Sequence, residues 1–135
     1  MKKIKKVLRD KTSLELAEVI SSAALDNKAE QLVILDVRGI SSFADYFVIM
    51  TGRSTRHVQG LADAVDGAAR DKRIKSANTE GLSEGYWVLL DYNDVIVHIF
   101  YSEAREFYDL EGLWHDAPRV ELESDAPAEK KKRKK

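Results

Sequence analysis

Tyr86 to Tyr101 reads YWVLLDYNDVIVHIFY. Two runs rich in β-branched and aromatic residues flank Tyr92-Asn93-Asp94, the pattern of two strands joined by a tight turn. With Asn93 and Asp94 as a two-residue loop, Tyr92 opposes Val95, Leu90 opposes Val97, Val88 opposes Ile99 and Tyr86 opposes Tyr101. Side chains alternate across a strand, so these eight residues share one face. That face is wholly apolar or aromatic and is expected to be core. The other face carries Trp87, Leu89, Asp91, Ile96, His98 and Phe100, which mixes large apolar groups with a carboxylate and an imidazole. Two readings fit that mixture. A helix covers it, as in α/β sheets whose strands are buried on both sides, or it stays open for a partner, since a Trp ringed by polar groups has the composition of an interface hot spot.

Upstream of the hairpin, Gln31 to Val37 and Tyr46 to Thr51 are short apolar runs that read as buried strands, separated by a polar loop from Arg38 to Asp45. Thr12 with Glu15 forms a capping box, and Leu16, Val19, Ile20, Ala23 and Ala24 recur at helical spacing, which predicts a helix from about Ser13 to Asp26. Gly52-Arg53-Ser54 turns the chain, and Ser54 caps a second helix to about Arg73 with Val58, Leu61, Ala62, Val65, Ala68 and Ala69 as its apolar stripe. Ile74 to Glu84 allows a short edge strand. Ser102 is read as the cap of a third helix running to about Trp114. The order is α-β-β-α-(β)-β-β-α. The expected fold class is α/β: a single small domain with a mixed sheet of about five strands flanked by helices.

The chain has 135 residues, enough for one domain with a sizeable core. It lacks cysteine, which excludes disulfides, thiolate metal sites and a cysteine nucleophile. No apolar run approaches the ~20 residues of a membrane span, and MKKIKKVLRDK is not followed by the apolar block of a secretory signal, so a cytoplasmic protein is expected. The net charge of −1 conceals a division. Lys2, Lys3, Lys5, Lys6, Arg9 and Lys11 crowd the start, and Lys130 to Lys135 close the chain with six cations and no acid. The body between them is strongly acidic, which favours a basic partner and repels bare nucleic acid. The basic ends are either solubilising tails or weak contacts to phosphate. Expected boundaries are a basic extension over 1–11, a domain over 12–117 and a tail over 118–135.

Enzyme chemistry finds little support. His57, His98 and His115 fall on a helix start, a strand and a tail, with none of the spacings of a zinc site. Gly52-Arg53-Ser54-Thr55-Arg56 lacks the second glycine of a nucleophile elbow. The same turn, at a helix N-terminus, has the form of a weak anion site. Nucleotidyltransferases join such a turn to two carboxylates one residue apart on a strand. Here Asp36 is followed by Val37 and Arg38, and Asp91 is three residues from Asp94, so no D-x-D pair is present. No catalytic residue, metal or cofactor is assigned.

Asp36 to Ile49, followed by Thr51 to Val58, resembles the first characteristic segment of the ribosomal silencing factor family, also called the Iojap family. Gly85 to His98, followed by Arg105 to Trp114, resembles the second. The resemblance covers about Ser13 to Asp116 and leaves both basic ends outside. It implies a nucleotidyltransferase-like fold without catalysis. It also implies binding to the intersubunit face of the large ribosomal subunit, on the ribosomal protein numbered fourteen. Small-subunit joining would thereby be blocked and translation repressed when nutrients are scarce. A homodimer in the free state and weak rRNA contact by the basic ends are compatible with it. Carried onto this chain, the resemblance centres the contact surface on Trp87, Leu89, Asp91, Tyr92 and Asp94, and on Tyr108, Glu111 and Trp114 of the third helix. Trp87 would be the aromatic anchor, and Asp91, Asp94 and Glu111 would meet cations of a basic protein. For Tyr108 and Trp114 the alternative is that they pin the third helix to the sheet. The competing functions are a nucleotidyltransferase-like enzyme and a small RNA-binding module acting through the basic ends.

Overall fold

In the computed structural model, which describes residues 2–121 and side chains from residue 13 onward, ten elements follow one another. They are α1 (Lys2–Asp26), β1 (Glu30–Asp36), β2 (Tyr46–Gly52), α2 (Thr55–Asp71), β3 (Asn78–Glu80), β4 (Trp87–Asp91), β5 (Val95–Tyr101), α3 (Ser102–Tyr108), α4 (Leu110–Leu113) and β6 (Arg119–Val120). The strands form one mixed sheet of six, in the order β3-β4-β5-β2-β1-β6. Only β2 and β5 run parallel, in register from Tyr46 beside Val95 to Gly52 beside Tyr101. Every residue of β2 is buried, as a central strand covered on both faces requires.

The hairpin has the expected register: Val88 faces Ile99, Leu90 faces Val97, and the Tyr92 amide donates to the Val95 carbonyl at 2.9 Å. Its turn depends on Asn93, which sits at φ 73° in the left-handed region that asparagine tolerates better than most residues. The Asp91 carboxylate accepts from the Asn93 amide at 2.7 Å and closes the turn.

On one side of the sheet, Leu16, Ile20 and Ala24 of α1 and Val58, Leu61, Val65 and Ala69 of α2 pack against Val48, Met50, Val88, Leu90, Val97 and Ile99. On the other side a smaller cluster gathers Leu35, Val37, Phe47, Ile49, Phe100 and Ala117 beneath α3 and α4. Ser54 caps α2 as its sequence position predicts, accepting from the His57 amide at 3.0 Å.

Several expectations are corrected. Helix α1 begins at Lys2, so Thr12 and Glu15 lie inside a helix and mark no end. The run before them contains neither Gly nor Pro, and extending a helix through such residues is cheap once it is nucleated. The third helix is broken in two. Asp109 takes φ 45°, its amide returns to the Arg105 carbonyl at 2.9 Å, and its carboxylate accepts from the Gly112 amide to start α4. Ser102 does not cap α3, because β5 runs directly into the helix and Tyr101 occupies the cap position. The segment read as the start of the tail supplies β6, whose Arg119 and Val120 pair with Leu35 and Ile34. Tyr86 is exposed rather than core: it precedes β4, and its ring lies 5.9 Å from that of Tyr101. The lysine-rich run at 130–135 lies outside the described residues.

The strain at Asn93 is testable. Asn93→Ala is expected to cost about 1 kcal/mol, because alanine has no local compensation for a left-handed backbone, whereas Asn93→Gly should cost nothing. Urea denaturation of the two variants checks this, and equal stability of both would show that the turn carries no conformational demand.

Candidate functional site

Among the described residues the second sheet face is only half covered, because α3 and α4 are too short to span it. Trp87 stands at the boundary, half-buried, with its ring centroid 4.7 Å from that of Tyr108 and 5.0 Å from that of Phe100. Its indole Nε1 donates to His98 Nδ1 at 3.1 Å. An indole nitrogen can only donate, so His98 Nδ1 accepts and the imidazole proton resides on Nε2. Burial pushes the His98 pKa down to about 4, so the ring is neutral near pH 7. His98 is in turn held edge-on against Phe47 at 5.3 Å and parallel to Phe100 at 6.3 Å. Leu89 and Ile96 complete the half-open strip, and Asp91 and Asp94 stand where it meets the turn.

Of the eight residues expected at the surface, the fold brings Trp87, Leu89, Asp91, Asp94 and Tyr108 to the half-open face or its rim. Tyr108 is half-exposed and its ring lies tilted against Trp87, so it both packs and presents itself. The other three are placed differently. Tyr92 is buried on the opposite face, where its hydroxyl donates to Asp66 Oδ1 at 2.8 Å, and desolvation together with that carboxylate raises its pKa. Alternation from Trp87 requires this placement, since the two residues differ by an odd number of positions. Glu111 accepts from Arg105 Nε at 2.9 Å and lies 3.5 Å from an Arg119 nitrogen, so its charge is compensated within the chain. Trp114 is half-buried with its ring edge-on to Phe47 at 5.0 Å, which fixes the end of α4 to the sheet.

Phe107 at 81% exposed and Leu113 at 75% exposed were not singled out from sequence. Both fall on the outer side of the short helices, and helical spacing could not reveal this because the helix breaks between them at Asp109. Glu103, Glu106 and Asp109 are exposed on the same segment and make its rim acidic.

One buried guanidinium holds α3 and α4 in place. Arg105 donates through one terminal nitrogen to the Gln31 carbonyl at 2.6 Å and to Thr51 Oγ1 at 2.8 Å, and through Nε to Glu111. It thus joins α3 to β1, β2 and α4.

At the turn before α2 two amides are already engaged within the chain. The Arg53 amide donates to His57 Nδ1 at 3.0 Å and the His57 amide to Ser54 Oγ. Gly52 serves packing: a Cβ there would lie 2.7 Å from Val58 Cγ2 and 3.0 Å from the Val58 amide nitrogen. Asp36 stands at the other end of β1, beside Tyr46, and is committed to Arg38, whose hydrogen bonds at 2.8 and 2.9 Å hold its carboxyl below the usual range. Among the described residues no group of three or more histidines and carboxylates is arranged to hold a metal ion, and no helix is long and apolar enough to cross a membrane.

The family model described as "Ribosomal silencing factor during starvation" matches residues 10–135. The chain belongs to the ribosomal silencing factor family. A ribosomal silencing factor of Halalkalibacterium halodurans is 44% identical over 109 residues, covering 81% of this chain and 93% of that one. A Bacillus subtilis silencing factor is 40% identical over 108 residues, covering 80% and 92%. The chloroplastic Iojap protein of Zea mays is 32% identical over 118 residues, and the match spans 50% of its length. A crystal structure from Bacillus halodurans superposes with a TM-score of 0.72 at 40% identity over 81% of this chain and 99% of that one. A Chromobacterium violaceum structure gives 0.75 at 29% identity, over 82% and 92%. The small mixed α/β fold is therefore shared with solved structures. The nucleotidyltransferase-like description is a further step that these likenesses do not make.

Two outcomes follow for this silencing-factor domain. Arg105→Ala should cost about 3 kcal/mol, because Glu111 loses its guanidinium partner and the Thr51 hydroxyl and Gln31 carbonyl lose buried donors. Denaturation by urea reads this directly, and a loss below the error of the fit would remove the strut. His98 has a folded pKa near 4 against an ordinary 6.5. Between these values the unfolded chain binds a proton that the folded chain does not, so stability falls as pH drops from 6.5 toward 4. The loss attributable to His98 should total ~3 kcal/mol, and the pH dependence should be shallower by that amount in His98→Asn.

Proposed function

We propose that the half-open face is a docking pad by which this chain binds the large ribosomal subunit, on the ribosomal protein numbered fourteen, and so obstructs joining of the small subunit. The outcome is repression of translation when nutrients are scarce, in the cytoplasm, with no bond made or broken by the protein. Membership of the ribosomal silencing factor family supports the general role. The observation that carries the docking reading is the Trp87–Tyr108 ring pair, left half-open next to Leu89, Asp91 and Asp94. Exposed Phe107 and Leu113 extend the apolar area, and the exposed acids Glu103, Glu106 and Asp109 on the same segment carry charge suited to a basic protein. An aromatic anchor supplies most of the affinity in such an arrangement, while rim charges act mainly on the rate of encounter.

Sedimentation with separated ribosomal subunits tests the reading. The chain should migrate with the large subunit and not with the small one. Trp87→Ala should remain folded by circular dichroism and lose roughly 30-fold in affinity, about 2 kcal/mol. Raising salt should slow association more than it speeds dissociation. Co-migration with the small subunit, or unchanged affinity of the folded variant, would reject the docking pad.

A further inference from the structure

We infer that His98 is a positioning residue for docking: it ties the Trp87 indole N–H internally, so that the exposed part of the ring meets the partner through carbon alone. The inference rests on the docking reading and names the chemistry of the group that Trp87 receives.

The argument begins with the donor. Trp87 has one polar atom, Nε1, and that atom is 3.1 Å from His98 Nδ1. The acceptor is rigid. His98 is 5% exposed, on a central strand, with Phe47 against its edge and Phe100 parallel to its plane. Its neighbours across the strands are Leu89 on β4 and Ile49 on β2. A buried imidazole surrounded in this way cannot rotate to release the indole without breaking the packing of both aromatic rings. Trp87 is thus held by one hydrogen bond and by contact with Phe100 and Tyr108. Its side-chain freedom is largely lost before any partner arrives, which lowers the entropic cost of association.

The second consequence concerns specificity. A tryptophan at an interface commonly gives its N–H to an acceptor on the partner. Here that donor is already used. A partner carbonyl or carboxylate aimed at Trp87 would find no hydrogen bond and would be desolvated without return. A cationic or aliphatic side chain fits, because it can lie against the ring and gain dispersion or cation–π attraction. Asp91, at the far end of β4, and Asp94, in the turn beyond it, belong to the rim and do not choose between the two. The group received by Trp87 is therefore a lysine, arginine or aliphatic side chain of the ribosomal partner.

The experiment compares four variants by affinity for isolated large subunits and by the indole N–H signal in two-dimensional 15N–1H spectra. Trp87→Phe keeps a ring and removes the donor, and its spectrum identifies the Trp87 signal against that of Trp114. His98→Leu keeps bulk and removes the acceptor. His98→Asn places an oxygen where Nδ1 stood. The fourth variant combines Trp87→Phe with His98→Leu. The expected results are that His98→Leu shifts the Trp87 indole signal, speeds its exchange with solvent and weakens binding about tenfold. His98→Asn should recover most of both. The double variant should bind no more than twofold worse than Trp87→Phe alone, since His98 acts through a donor that variant lacks. A purely structural His98 would instead weaken both backgrounds equally, and that result overturns the inference. Should His98→Leu not fold, the imidazole nitrogens of the unaltered protein decide: a proton found on Nδ1 overturns it. Weak binding by Trp87→Ala with full binding by His98→Leu also overturns the inference while leaving the docking pad in place. Full binding by folded Trp87→Ala rejects the docking pad itself, and the indole exchange then still reports whether the tie exists.

Discussion

The register of one hairpin governs this molecule. Asn93, in a left-handed conformation closed by Asp91, sets Leu90 against Val97 and Val88 against Ile99. A slip of β4 by one residue would send Trp87 and Leu89 into the large core and turn Val88 and Leu90 outward. The register also propagates. β5 is the parallel partner of β2, and β2 in turn pairs with β1, so the face on which each central side chain lies descends from the same turn. The helices then cover faces whose composition is already decided.

The two faces differ in what covers them. The long helices α1 and α2 close one side with a continuous aliphatic layer. Among the described residues the other side receives only α3 and α4, with four residues in the second, and their hold depends on Arg105 reaching back to β1 and β2. A buried guanidinium carries a large desolvation cost unless its donors are met, and here a carbonyl, a hydroxyl and a carboxylate meet them. Anchored this way, the short helices seal Phe100 and His98 but stop before covering Trp87, Leu89 and Ile96. The half-open strip is thus a product of helix length and of one polar strut. That strip is the surface on which the proposed docking to a ribosomal partner rests.

Much of this was legible in the residues. The strands, the hairpin register, the Ser54 cap and the split into an apolar and a mixed face all follow from patterns within a few positions of one another. The errors also have particular causes. The capping box at Thr12 describes a competent helix start, but nothing before it stops a helix, so the helix continues to Lys2. Asp109 breaks the third helix by adopting a left-handed backbone, a choice that helical periodicity does not display. Glu111 reads as a surface acid until the fold brings Arg105 and Arg119 to it. Tyr92 was assigned to the contact surface against the alternation that already placed it with the core, and its bond to Asp66 seals that placement.

Local order therefore belongs to the chain itself: strand alternation and turn chemistry act between neighbours, and they settle which side chains share a face before any long-range contact forms. Exposure belongs to the assembled structure. Whether Trp87 is sealed or presented depends on where α3 ends, what Arg105 can reach across more than seventy residues of sequence, and which acids find internal partners. Those are distances in space, and no pattern of neighbours encodes them.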